Sequence, residues 1–159
     1  MKRKVLLGLL VILVVIQFIR PAKNQSSELS PNDISHKYNV PADVNGVLKK
    51  ACNDCHSNNT VYPWYNKIQP VAWWLDHHIE EGKRELNFSE FATYSPKKQH
   101  HKLEEVTELV KNGGMPLNSY TWVHKEAILT DSEKRAITEW ADNLRTEIGT
   151  THNLPEKEK

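Results

Sequence analysis

Cys52-Asn53-Asp54-Cys55-His56 is the segment of this chain whose residue types and spacing could do chemistry. It is a CxxCH pattern, the spacing used for c-type haem attachment. One helical turn separates the two cysteines, so both thiols can reach the two vinyl groups on one haem edge. The adjacent His56 can then supply a neutral imidazole nitrogen to the iron. Three other uses of these residues stand beside that one. A redox CxxC pair wants a βαβ context, and no such pattern is present. A zinc site would need further ligands, for which His77/His78 or His100/His101 are available. A plain structural disulfide is the third. Cys52 and Cys55 are the only cysteines, which excludes a multi-disulfide scaffold or a four-cysteine cluster and limits the chain to one covalent haem.

A haem iron has a second axial position. Apart from Met1, the only methionine is Met115, in Asn112-Gly-Gly-Met-Pro-Leu117. Flanking glycines allow close backbone approach, and Pro116 stiffens the loop. Met115 is therefore the expected distal ligand. His78 is the alternative, because it falls on an apolar helical stripe between Leu75 and Ile79; His124 is a third candidate, and an open position a fourth. The carbonyl of Pro63 or a neighbour is a candidate acceptor for the His56 ring N–H. Trp64, Tyr65, Trp73 and Trp74 are read either as walls of the haem site or as ordinary core, and Arg84 either as a propionate partner or as a surface cation. The i,i+4 pairs His100/Glu104 and His101/Glu105 read as a solvated helix face.

The elements that must position these residues read as helices. The first runs from about Ala42 to Asn53. The second starts at Pro70, and the third at Pro96 behind a Ser95 cap, ending at Gly113-Gly114. A fourth opens with the capping box Thr130-Asp-Ser-Glu133 and carries Ala136, Ile137, Trp140, Leu144 and Ile148 on one stripe. Sustained period-two alternation is absent, so the class is all-α.

Composition frames the rest. The chain has 159 residues, with Lys+Arg 21 and Asp+Glu 20. With a net charge of +1 there is no basic excess for a nucleic-acid backbone. Of the 15 residues Val5–Ile19, 13 are apolar, preceded by Lys2, Arg3 and Lys4. This predicts a signal-anchor helix over 1–20. It would make a single-pass inner-membrane protein with its N-terminus in the cytoplasm and its domain in the periplasm. Cleavage to a soluble periplasmic form is the alternative. Residues 21–40 read as a flexible linker reaching about 25 Å, residues 41–148 as the functional domain, and 149–159 as a disordered tail. Beyond the apolar run only about a third of residues are apolar, thin for a globular chain. A buried porphyrin would supply the missing core. The exported part carries 18 basic and 20 acidic residues, so a docking partner should present a positive face.

Helix, CxxCH, Met-Pro loop and closing helix resemble a class I cytochrome c. More closely, Cys52–Thr60, Tyr62-Pro-Trp-Tyr65, Pro70-Val-Ala-Trp-Trp-Leu75, Leu86-Asn-Phe-Ser89 and Gly114-Met-Pro-Leu117 resemble the small haem-binding domain family common in Bacteroidota. The resemblance covers about residues 33–148; its tryptophan-rich and LNFS segments are the specific part. It implies an exported, cytochrome-c-like protein with a single haem c, attached at Cys52 and Cys55 and ligated by His56 and Met115. The expected role is a membrane-tethered electron carrier for a redox partner protein, not an enzyme. A haem sensor or peroxidase-like enzyme with a labile sixth ligand is the alternative.

Overall fold

The computed structural model describes residues 1–154, and every regular element in that range is helical. The α-helices are α1 (Lys2–Ile16), α2 (Ile34–Lys37), α3 (Ala42–Ala51), α4 (Asn53–His56), α5 (Val71–Glu85), α6 (Pro96–Lys111), α7 (Asn118–Thr121) and α8 (Asp131–His152). Short 3-10 turns at Trp64–Lys67, Phe88–Thr93 and Lys125–Ala127 join them. The expected all-α class is therefore observed.

Local chemistry explains the long helices. The Ser95 hydroxyl accepts from Lys98 N at 3.3 Å, and Pro96 occupies the first turn of α6. Gly113 takes φ +76, a left-handed conformation that disfavours any side chain, and the helix stops before it. In α8 the capping box is complete, Thr130 and Glu133 bonding each other's backbone N–H. Helix α6 packs against α8, and α3 contacts the same helix. Leu103, Val110, Ile137, Leu144 and Ile148 fill the seam with Val44, Val47, Phe88 and Phe91. Trp140 closes one end and donates through its indole N–H to Asn39 O at 3.1 Å. The fully buried Gln99 is satisfied by Phe91 O, Tyr94 O and the Tyr38 hydroxyl.

Several expectations need correction. The first domain helix does not run unbroken to Asn53. Cys52 leaves helical geometry at φ −124, ending α3 and starting the separate turn α4. The last helix continues to His152, so residues 149–152 are helix and not tail; the remainder of the expected tail, 155–159, lies outside the described residues.

The membrane anchor is also overturned. Among the described residues no helix is long and apolar enough to cross a membrane. At 15 residues α1 spans about 22 Å, short of a roughly 30 Å hydrocarbon core. Its C-terminal end turns at once onto the domain. Gln17 and Gln69 bond each other's groups reciprocally: the Gln17 amide donates to Gln69 O at 3.2 Å, and Gln69 N donates to Gln17 Oε1 at 3.0 Å. Arg20 donates to Lys67 O at 2.9 Å. The single-pass inner-membrane placement is therefore not supported.

The segment 21–40, read as a free tether, is fastened too. Asn24 alone engages Tyr62, Ser57, Thr60 and Lys83. Ser30 and Asn32 donate to the Glu90 carboxylate, each at 3.0 Å. Its polar side chains, which look like linker composition, serve as donors and acceptors for the loop that follows His56.

Candidate functional site

Helix α4 carries the motif, and α5 packs directly against it. The approach is so close that a Cβ at Gly82 would lie 2.6 Å from Cys55 O and 2.9 Å from Cys55 Cβ. Only glycine fits there. Cys52 and Cys55 are both free thiols. Burial, with a further push from Cys55, raises the Cys52 thiol to about 12. Burial, then the charge of Asp54, raises Cys55 to about 11. A redox CxxC pair needs the opposite shift, toward thiolate. Among the described residues no three His, Cys, Asp or Glu side chains group as ligands for a metal ion, so the zinc arrangement is not assembled.

His56 Nδ1 donates to the backbone oxygen of Leu86 at 2.9 Å. The acceptor expected near Pro63 is thus Leu86, the residue that ends α5. The Leu86-Asn-Phe-Ser89 segment is built to hold that carbonyl still. Asn87 Oδ1 accepts from Ser89 N at 3.0 Å, its amide donates to Asn58 Oδ1 at 2.8 Å, and its N–H reaches the Tyr94 hydroxyl at 3.0 Å. Ser89 Oγ in turn accepts from Asn58 N at 3.1 Å. With Nδ1 protonated, Nε2 is left as the lone-pair nitrogen. Burial is the largest influence on the ring and lowers its pKa; the carbonyls of Leu86 and Gly82 oppose it, and Lys102 adds to the lowering. The imidazole is therefore neutral at neutral pH.

Two adjoining cavities, about 360 and 430 Å³, meet at this histidine. Both are lined by Ala51, Cys52, His56, Glu85, Met115 and Pro116. The first is otherwise largely apolar, with Leu86, Phe88, Val106, Leu109, Val110, Leu129 and Ile137. The second adds Cys55, Asp54, Gly82, Leu117 and Tyr120. Their size suits a cofactor. Met115 is thus brought to the same cleft as Cys52 and His56. Its N–H donates to Leu109 O at 3.1 Å, which ties the loop to α6.

Of the alternative distal ligands, His78 also lines this cleft and His124 does not. His78 lines only the second cavity; its Nδ1 donates to Trp74 O at 2.9 Å and its ring lies against Trp74, centroids 4.4 Å apart and tilted by 50°. His124 has both nitrogens engaged, by the Tyr65 hydroxyl at 2.8 Å and by Glu126 at 3.2 Å. Trp64, Trp73 and Trp74 are exposed and line neither cavity. Tyr65 lines neither cavity as well. Arg84 is at the rim of the second cavity and faces Glu81 at 3.6 Å. His101 pairs with Glu105 at 3.2 Å, and Glu104 reaches Arg145 at 3.4 Å.

The aromatics that do line the cleft are Phe88 and Tyr120, and its buried cation is Lys102. Burial works against the Lys102 charge, but Glu105 at 2.7 Å and Glu85 at 3.3 Å outweigh it and raise its pKa. Phe88 was signalled by the LNFS segment. Tyr120 and Lys102 carried no signal in the sequence.

These residues fit a haem. The cleft joins an apolar wall to a neutral imidazole with a fixed tautomer, free thiols one turn away, and a thioether side chain. A helical protein with a haem cleft is the class that this fold and site define. The chain belongs to the haem-binding domain family, whose model matches residues 11–143. No curated protein and no solved structure matches the chain. Haem is accordingly its cofactor.

Proposed function

We propose that this protein is a cytochrome-c-like, monohaem electron carrier. Cys52 and Cys55 would hold the haem by thioether bonds, His56 Nε2 would be the proximal ligand and Met115 the distal one. The observation that carries the reading is the sharing of one cleft by Cys52, His56 and Met115, with His56 oriented by Leu86. When bound, the haem supplies reversible one-electron exchange between ferric and ferrous iron.

The chain's own residues do the rest. Leu86 O fixes the imidazole and strengthens it as a donor. Leu86, Phe88, Val106, Leu109, Val110 and Ile137 exclude water from one side of the cleft. Met115, tied to α6, would supply the second protein ligand to the haem and so favour electron transfer over oxygen or peroxide chemistry. Transfer would be outer-sphere, to a redox partner protein with an electropositive face.

Spectroelectrochemistry tests this. We expect a low-spin ferric spectrum with a Met–iron charge-transfer band and a reversible one-electron titration. A high-spin spectrum with rapid CO binding would contradict the carrier and support a sensor or peroxidase-like role.

A further inference from the structure

Asp54 sits between the two cysteines, and its three oxygens are all engaged. The Thr60 hydroxyl donates to Asp54 O at 2.6 Å, and Val61 N donates to Oδ1 at 2.9 Å. Oδ2 accepts from the Tyr120 hydroxyl at 2.7 Å. Tyr120 lies in α7, five residues past Met115. It is fixed on its other side as well. Its ring stacks on His124 at 4.3 Å with an interplanar angle of 15°. His124 is held by the Tyr65 hydroxyl at 2.8 Å, itself on the chain that follows the haem motif.

The Met115 loop therefore has two anchors. On its N-terminal side Met115 N bonds Leu109 O, and Gly114 N bonds Asn112 Oδ1 at 2.9 Å. Leu109 is in the last turn of α6 and Asn112 is its C-cap. On its C-terminal side the tie to the cysteine turn is Tyr120–Asp54, backed by the His124–Tyr65 bond. Pro116 and the first turn of α7, where Tyr120 N bonds Leu117 O at 3.0 Å, make a short, stiff arm between Tyr120 and Met115. A shift at one end of such an arm is carried to the other.

We propose that Tyr120 and Asp54 form a latch that holds the Met115 loop closed against the cysteine turn, and that both are positioning residues for the distal sulfur. The proposal rests on Met115 as distal ligand. The bond is charge-assisted and partly buried, so it is strong enough to govern how often the loop opens. Asp54 also makes the attachment turn itself a part of the distal side, since the residue between the cysteines holds the loop that supplies the opposite ligand.

The test uses holoprotein matured with its haem. Tyr120→Phe keeps the ring, its stacking on His124 and the wall of the cleft, and removes only the hydroxyl. Asp54→Asn keeps an acceptor but removes the charge. We expect Tyr120→Phe to weaken the Met–iron charge-transfer band and to raise the CO association rate of the ferrous protein about ten-fold or more, the weight of one charge-assisted hydrogen bond. Asp54→Asn should fall between it and the parent, and the double variant should be no worse than Tyr120→Phe alone. Met115→Ala is the reference for the underlying reading. If it changes the spectrum while Tyr120→Phe and Asp54→Asn match the parent, the latch is refuted and Met115 stands. If Met115→Ala leaves the spectrum unchanged, the distal assignment itself falls, and the latch with it.

Discussion

His56 Nδ1 and Leu86 O are 2.9 Å apart across thirty residues of chain, and that bond sets which nitrogen of the imidazole is free. The carbonyl is held by its neighbour. Asn87 makes three hydrogen bonds that fix the turn after α5. Asn87→Ala removes its side-chain pair and leaves Asn58 Oδ1 and Ser89 N without these partners. We expect a loss of about 1–3 kcal/mol, measured by denaturant unfolding of the holoprotein. The reduction potential should shift as well, because the histidine loses its fixed acceptor. An unchanged potential would show that the Asn87 turn does not orient His56.

Gly82 brings α5 onto Cys55, leaving no space for a methyl group. Gly82→Ala should cost about 1–3 kcal/mol by overpacking and lower the fraction of chains carrying covalent haem, read by intact mass. Gly46 is the control. It is exposed in α3 and a Cβ there meets nothing within 4 Å. Gly46→Ala should leave attachment unchanged and stabilise by about 0.5–1 kcal/mol.

Glu90 ties the 30–32 segment to the loop after His56. Burial alone would raise its carboxyl, but donation from Asn32, Ser30 and Asn58 outweighs it and lowers the pKa. The unfolded chain thus binds the proton more tightly than the folded one. This contribution to stability is complete above the ordinary glutamate value of about 4.3 and disappears as pH falls through the lower folded value. Glu90→Gln should flatten that acid limb of the stability curve. Equal acid dependence in the parent and the variant would assign it to other carboxylates.

Met115→Ala should leave the covalent haem in place and lower the potential, by about 59 mV for each tenfold preference of the thioether for ferrous iron. Potentiometry on the matured protein reads this directly. A potential equal to that of the parent would remove Met115 from the iron.

What could be read from the sequence was what depends on near neighbours. Ser95-Pro96 and Thr130–Glu133 act within a few residues, so α6 and α8 were legible to within a residue at their starts. The CxxCH pattern was visible because it is contained in five positions. The acceptor for His56 was not, because a backbone oxygen carries no side-chain signature. Tyr120–Asp54 joins positions 66 apart in the chain, and no local pattern reports such a pair. The tryptophans misled in another way. Aromatic enrichment near the motif was read as either a haem wall or ordinary core, yet Trp64 is 72% exposed and fits neither. Residues 21–40 misled through composition, since Asn, Gln and Ser suit a free linker and a docked one equally well. The apolar run at the N-terminus was legible as a helix, but its 15 residues do not make a span.

Attachment of haem through Cys52 and Cys55 is the claim on which the account turns. The direct measurement is an alkaline-pyridine haemochrome spectrum of the protein matured with a cytochrome c assembly system, after acid-acetone extraction. We expect the haem to stay with the chain and the spectrum to be that of a haem with both vinyl groups saturated, with Cys52→Ser and Cys55→Ser each restoring one vinyl. Complete extraction of the haem, with a spectrum unaffected by either substitution, would contradict it.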